Sequence, residues 1–450
     1  MANVLISSLL RQAKITASLT NNIAESTRLD AIFITPQEQF RAPLVKGLSE
    51  SADFIQDRSE MIVLSVELQP GVYQDKLLRY RDDLVVQVIS ATSTEVRVRE
   101  FAAVPLADND PRAASNSAAN ANFSSQDTIA LQLFRFQLID KGFAKMKNLV
   151  VSDNFSMANV ESVLSIMMQE VSAKLEMDPD AKYKGMYVHS PIDNVNNYRQ
   201  ILIPTGTRFI NLPLYLQNHD EYGVYSKGLG CFYKQGWWWV YPTFNTTLVD
   251  THHRPIDLIR FPRDKVPTLE TSMYVSDDAI TILSTGDGKH RDASDIRKQN
   301  VGVGKRIVMG DAISGDQGYH YSKGKAITTR QETLQEYKLS ERKSGEDYIP
   351  LDLTPTGNVC KALSANAVNE GEFLTIPWIN GDTGYLEPGH PVRYQYMSDD
   401  DKMTTRNGVL IGYRTDYMPV TDGPVPKMKR TSVLHVFLKR QDRYKAPAEN

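Results

Sequence analysis

Two hydrophobic periods alternate along this chain, and the switches between them divide it into three stretches. Over residues 61–68, Ile62, Leu64, Val66 and Leu68 recur at every second position, the spacing of a strand with one buried face, and Pro70-Gly71 follows as a turn. The nearly continuous apolar run Leu84–Ile89 has strand length, and Val96, Val98 and Phe101 interleave with Arg97, Arg99 and Glu100. Thr128–Phe136 is again strand-like, and then the period lengthens. Met157, Val160, Leu164, Met167, Val171 and Leu175 are three or four apart and predict an amphipathic helix over 156–175, with Ser156 as its N-cap. From Thr251 strand patterns return, at Ala279–Leu283, Ile307–Met309, Phe373–Ile376, Val392–Tyr396, Val409–Tyr413 and Val433–Leu438.

These patterns predict an α+β chain that is mainly β, with two β-barrel domains flanking a smaller α+β middle domain. Residues 1–150 make the first barrel, and its Ala/Asn/Ser-rich segment 105–127 buries too little apolar surface to order except against a partner. Residues 151–250 make the middle domain. Residues 251–450 make the second barrel, with a long insertion around 284–345 in which the polar stretch 329–344 forms a solvated helix or connector.

Within the middle domain, Pro204–Pro242 carries three of the four tryptophans and five tyrosines in short runs punctuated by glycine. Lys227-Gly228 and Lys234-Gln235-Gly236 read as tight turns, because glycine supplies the positive φ they need. Strand alternation sends Trp237, Trp239 and Tyr241 to one side and Trp238 and Val240 to the other, so both faces need cover. Packing against a domain or a subunit is the favoured reading of Trp237, Trp238, Trp239, Tyr241 and Tyr225. A carbohydrate platform built on the tryptophans, in a glycan-binding or cell-wall-cleaving protein, is the alternative.

Composition narrows the function further. With 41% hydrophobic residues and a net charge of -3, the chain has no single-sign field to draw it to nucleic acid. Two distant cysteines, Cys231 and Cys360, make neither a disulfide framework nor a cysteine-based zinc site. No signal peptide is read at the N-terminus, and no apolar run has membrane-spanning length. Gly302-Val303-Gly304-Lys305 lacks the earlier glycine of a phosphate loop, since Gln299 stands there, and Arg306 replaces the magnesium-binding hydroxyl. His252 and His253, if on a strand, point to opposite faces, and His219-Asp220-Glu221 reads as a polar loop. Asp399-Asp400-Asp401 lacks calcium-loop spacing and reads as a hairpin tip. No catalytic, cofactor or metal residues are assigned, and no enzymatic activity is expected.

Two longer stretches resemble a known family. Val66-Glu67-Leu68-Gln69-Pro70-Gly71-Val72-Tyr73, continuing to Arg79-Tyr80-Arg81-Asp82-Asp83-Leu84, resembles the first barrel of tailed-bacteriophage baseplate or tail-tip hub proteins. Leu212-Pro213, Tyr215-Leu216-Gln217, Gly223-Val224-Tyr225, Gly228-Leu229-Gly230 and Trp239-Val240-Tyr241-Pro242 resemble the middle domain of such hubs. Glu387–Tyr394 is similar, more weakly, to the first strand of their second barrel. The resemblance implies a structural virion protein, a homotrimeric ring with two tube-like barrels per subunit, adapting a sixfold tail tube to a threefold tip. Its implied partners are the tail tube or distal tail protein, a spike or tip protein and other baseplate proteins. Arg81 and Asp82 then join the aromatic residues as contact candidates.

Overall fold

The computed structural model describes residues 27–92, 96–106, 131–176, 179–189, 193–261, 272–285, 288–292, 306–310, 317–321, 348–349, 358–368, 371–397, 403–420 and 427–440. The extended-loop segment at 107–127, Gly302–Lys305, residues 329–344, Asp399–Asp401 and the N-terminal stretch lie outside the described residues.

The fold is mainly β, with short helices. Strands β1 (Arg28–Ile34), β2 (Gln39–Arg41), β3 (Leu44–Asp53), β4 (Met61–Leu68), β5 (Val85–Ala91), β6 (Val96–Pro105) and β7 (Gln132–Asp140) pair antiparallel in the order β2-β1-β5-β6-β7-β4-β3. The expected alternation holds in β4, where Ile62, Leu64, Val66 and Leu68 are all buried, facing Phe134, Phe136 and Leu138 in one core. Two expectations for this stretch need correction. Pro70-Gly71 does not form a simple turn. The chain winds instead through an α turn, a π turn at Tyr73–Leu77 and a 3₁₀ turn at Leu78–Tyr80, which drives Tyr73 and Leu77 into the core. Tyr73 stacks on Phe134 with ring centroids 4.2 Å apart, a contact that a tight reversal would forfeit. In β6, Val96 and Val98 face outward, while Arg97 and Arg99 share the parity of buried Phe101 and point inward. They do so because acidic partners await them, Asp382 for Arg97 and the buried Glu50 for Arg99.

The middle region places α1 (Lys141–Met146), β8 (Val150–Asn159), α2 (Val160–Lys174), β9 (Gly185–Val188), β10 (Asn197–Arg208), α3 (Leu212–Asn218), β11 (Leu229–Lys234) and β12 (Trp237–Pro242) around a second core. β8 and β10 form an antiparallel ribbon, and β12 pairs antiparallel with β11 and parallel with β9. The long helix starts later than its periodicity predicts. Ser156 is still in β8, paired with Gln200, and Asn159 is the cap, its Oδ1 accepting from Ser162 N–H at 2.8 Å. Strand pairing therefore claims the residues that the helical pattern included, and Met157 is exposed.

Beyond these, β13 (Ile256–Phe261), β14 (Ser272–Val275), β15 (Ile280–Thr285), β16 (Lys289–Asp292), β17 (Arg306–Gly310), β18 (Gln317–Tyr321), β19 (Tyr348–Ile349), α4 (Val359–Ala367), β20 (Gly371–Ile379), β21 (Pro391–Met397), β22 (Met403–Pro419) and β23 (Met428–Lys439) complete the chain. β17, β18 and β19 make a separate small sheet. The others run in the order β14-β15-β13-β21-β22-β23-β20-β16 over a third core.

The two β regions are one fifteen-stranded sheet, joined through the hairpin β22–β23. The first part of β22 pairs with β21 and the last part, from Gly412 to Tyr417, with β3. A bulge between Leu410 and Gly412 separates the two registers, and bulges are where strands bend. Leu410, Tyr413 and Leu434 lie in the third core, whereas Tyr417 and Met428 lie in the first. Among the described residues the sheet follows an open path, and β1 returns to β23 only through the isolated bridge between Thr27 and Met428. No described helix is long and apolar enough to cross a membrane.

The crossing point leaves no room for a side chain. A Cβ at Gly412 would lie 2.4 Å from the Ala52 carbonyl oxygen, across the β22–β3 ladder. Gly412→Ala should therefore destabilise the protein by about 1–3 kcal/mol through overpacking. Denaturant unfolding with an unchanged midpoint would show that the ladder yields without cost.

Candidate functional site: an aromatic hairpin between two cores

The turn between β11 and β12 is made by Gln235 (φ 53°) and Gly236 (φ 90°), both left-handed as a two-residue hairpin of this twist requires. Gly228, at φ 82°, opens β11 and accepts from Thr243 N–H through its carbonyl, so it trims the far end of the hairpin and is not itself a hairpin turn. The alternation of β12 then distributes its side chains between two cores. Trp238 and Val240 point into the middle core. There the Trp238 indole N–H donates to Ser172 Oγ at 3.1 Å, and its ring meets Tyr233 and Phe209 edge-on at 5.0 and 6.0 Å. Tyr241 and the half-buried Trp239 go to the third core, together with Phe232 from β11.

Trp237 is 40% exposed and its ring covers Gly185, where a Cβ would come within 2.5 Å. Tyr225 is buried, its hydroxyl donating to the His189 carbonyl at 2.5 Å. The structure thus brings Trp238, Trp239, Tyr241 and Tyr225 into internal packing and leaves Trp237 at the surface, while the exposed Tyr187 lies against Trp239 at 5.3 Å. Three tryptophans in a row do not make an open platform here. Arg81 and Asp82 stand apart, after the helical turns of the first region, with side chains 66% and 92% exposed and 3.9 Å from each other.

Sequence reasoning missed the residue on which this hairpin rests. Lys234 ends β11, beside a turn, where a lysine ordinarily reaches into water. Its side chain is only 5% exposed. Its ammonium donates to the carbonyls of Thr383 at 3.0 Å and Leu386 at 2.7 Å, lies 3.5 Å from Glu60 and sits 4.8 Å from the centre of the Tyr413 ring. Glu60, just before β4, also accepts from the Tyr413 hydroxyl, and nearby Arg99 pairs with buried Glu50. Asp382 receives Arg97 at 2.8 Å and Arg430 at 3.7 Å.

One polar junction therefore ties the first β region, the hairpin and the second β region together. Two cavities of about 310 and 450 Å³ flank it, sharing Glu60, Arg99 and Gln235 in their walls. No local signal marks Lys234: its burial, like that of every position from Gly230 to Lys234, depends on partners distant in sequence.

The electrostatics follow from burial. Desolvation pushes the Glu60 carboxyl up, but Lys234, Tyr413 and Arg99 together hold it below its ordinary 4.5. Desolvation lowers the Lys234 ammonium more than Glu60 and Glu50 raise it. The two partners shift the same way because the carboxylate has three favourable neighbours, whereas the ammonium also faces Arg99. Elsewhere, His252 and His253 lie in a bend after a 3₁₀ turn and not on a strand, with their rings 4.6 Å apart and the His252 ring 5.0 Å from that of His390. His219 stacks on Tyr222 at 4.0 Å, and Asp220 pairs with Lys361.

Two outcomes follow. Trp238→Ala should cost about 3–5 kcal/mol in unfolding experiments, the loss expected of a fully buried large aromatic; a wild-type melting point would contradict the packing described. Because the folded Glu60 carboxyl is held low, its contribution is present above pH 4.5 and is lost as pH falls through the folded value. Urea unfolding between about pH 3 and 7 should show a shallower acid loss in Glu60→Gln than in wild type, and parallel curves would exclude Glu60 as a source.

Comparison with known proteins adds a lineage. No curated protein sequence matches the chain. Among solved structures it is similar to the tail protein from Neisseria meningitidis MC58, at 9% identity and TM-score 0.47, covering 91% of this chain and 96% of that one. It is also similar to the 43 kDa tail protein of prophage MuSo2 from Shewanella oneidensis, at 8% identity and TM-score 0.45, covering 90% and 97%. A PdpA-VgrG complex in its lidless form is similar at 10% identity and TM-score 0.43, covering 94% of this chain and 67% of that one. The family model of the bacteriophage PBS1 gene 109 protein matches residues 50–281, more than half of the 450 residues, from within β3 through the aromatic hairpin to the start of β15. The chain belongs to that family, and so, as its sequence resemblance implied, to the proteins of bacteriophages.

Proposed function

We propose that this chain is a structural, non-catalytic component of the tail of a bacteriophage virion, forming a homotrimeric hub at the tail tip or baseplate. In this reading each subunit contributes two tube-like β domains, one from each side of the shared hairpin, with the α+β region between them. Three subunits would present six such units to a sixfold tail tube and a threefold face to a spike or tip protein. Distal tail and other baseplate proteins are the remaining partners, and assembly takes place in the host cytoplasm before incorporation into the virion.

The observation that carries the reading is the weld between the two β regions. β22 and β23 serve both cores, and Lys234 fixes the hairpin between them, so the regions are held in one orientation. An adaptor must hold its two tube-contacting units at a set spacing, and a flexible linker would not do so. Membership of a bacteriophage protein family supports the setting. Exposed Val96, Val98, Val104 and Leu133 on the outer face of β6 and β7, and exposed Trp237 and Tyr187 on the paired strands β12 and β9, are apolar positions suited to contacts between subunits. Arg81 and Asp82 supply exposed charges of both signs for the same purpose.

Light scattering or native mass measurement of the purified chain, together with imaging of tail particles, tests this. A threefold multiple of the 50.7 kDa chain mass and threefold density at the tail tip are expected. A persistent monomer that is absent from tail particles would refute the hub.

A further inference from the structure

Four of the eight histidines, His189, His252, His253 and His390, gather where the bend after β12 meets the loop leading into β21. Within this group one donor atom from each of His252, Glu387 and His390 lies within 4.8 Å of the others. The Arg254 peptide holds both imidazoles. Its carbonyl accepts from His390 Nε2–H at 2.5 Å, and its N–H donates to His252 Nδ1 at 3.2 Å. Both rings consequently carry their proton on Nε2 and a lone pair on Nδ1. That of His390 meets only the Glu387 N–H, at a long 3.3 Å.

For His390, the Nε2–H held by the Arg254 carbonyl is the kind of outer contact that orients a metal-ligating histidine and turns its Nδ1 toward the ion. The Glu387 carboxylate is half-buried and makes no ion pair or hydrogen bond among the described residues. Three ligand-type groups thus face one point, and the two imidazole lone pairs are engaged there only by long backbone N–H contacts of 3.2 and 3.3 Å, which a metal ion would replace.

We propose that His252, Glu387 and His390 bind a divalent transition-metal ion of the zinc class, with two imidazole nitrogens and one carboxylate as ligands and water as the fourth. Two nitrogen donors select against calcium and magnesium, which take oxygen ligands. Ligand atoms around a tetrahedral zinc are about 3.4 Å apart, so donors now within 4.8 Å of one another close by up to about 1.4 Å on binding. Arg254 and His253 stand beside the site and oppose a cation, so an ionised Glu387 is required to offset them. Bound metal would clamp the 387–390 loop to the 252–254 bend, pinning β21 and β13 to the end of the aromatic hairpin. The site stands on its own residues and does not depend on the tail assignment.

Full-length protein stripped with chelator and then titrated with zinc chloride tests the site by elemental analysis and thermal melting. About one zinc per chain and a raised melting temperature are expected. Glu387→Gln and His252→Ala should each weaken binding by at least about tenfold and abolish the thermal shift, with circular dichroism unchanged. His253→Ala should still bind. His390 is left intact because its ring also holds the Arg254 carbonyl. No zinc above the buffer level, or zinc retained at full affinity by both ligand variants, would overturn the proposal.

Discussion

A single buried ammonium sets the geometry of this molecule. A lysine withdrawn from water is costly unless every direction in which it can donate is filled. Lys234 is filled from three places: two backbone carbonyls of the 383–386 segment, the Glu60 carboxylate before β4 and the face of Tyr413 on β22. Moving any of these segments strands a charge in a low-dielectric interior. The positions of the hairpin, the first β region and the second are therefore fixed relative to one another by a common penalty. Arg99 with Glu50, and Asp382 with Arg97 and Arg430, extend that polar layer between apolar cores.

Strands shared between cores reinforce the same constraint. β12 sends Trp238 to one core and Tyr241 to another, and β22 begins in the third core and ends in the first. Each core is thus walled in part by a strand that also walls its neighbour. Packing changes in one are transmitted directly, because close-packed interiors absorb little displacement. The bulge at Leu410–Gly412 is the local device that lets one continuous strand serve two differently oriented ladders.

Much of this was legible from local pattern, and the misses share a cause. The buried face of β4, the opposed faces of β12 and the left-handed turn at Gln235-Gly236 follow from parity and glycine alone. The inward arginines of β6, the late start of α2 and the burial of Lys234 do not, because in each case a distant partner overrode the local preference. Glu50 lies 49 residues from Arg99, and Thr383 lies 149 residues from Lys234. His390 falls in the stretch Glu387–Tyr394 that resembles a barrel strand, and only its bond to Arg254, 136 residues away, places it beside His252. Long-range electrostatics leave no periodic trace in a sequence.

The crossing of β22 from one core to the other also bears on how the chain comes to be folded. Its partner in the first region, β3, emerges from the ribosome some 360 residues earlier than the segment Gly412–Tyr417 that pairs with it. Until then β3 presents a row of unsatisfied backbone donors and acceptors, the kind of edge along which nascent chains associate with each other. Completion of the amino-terminal β region waits on the carboxyl-terminal hairpin. The molecule is therefore committed to folding as a whole after synthesis, and a truncated product would leave an open, adhesive edge in place of a finished half.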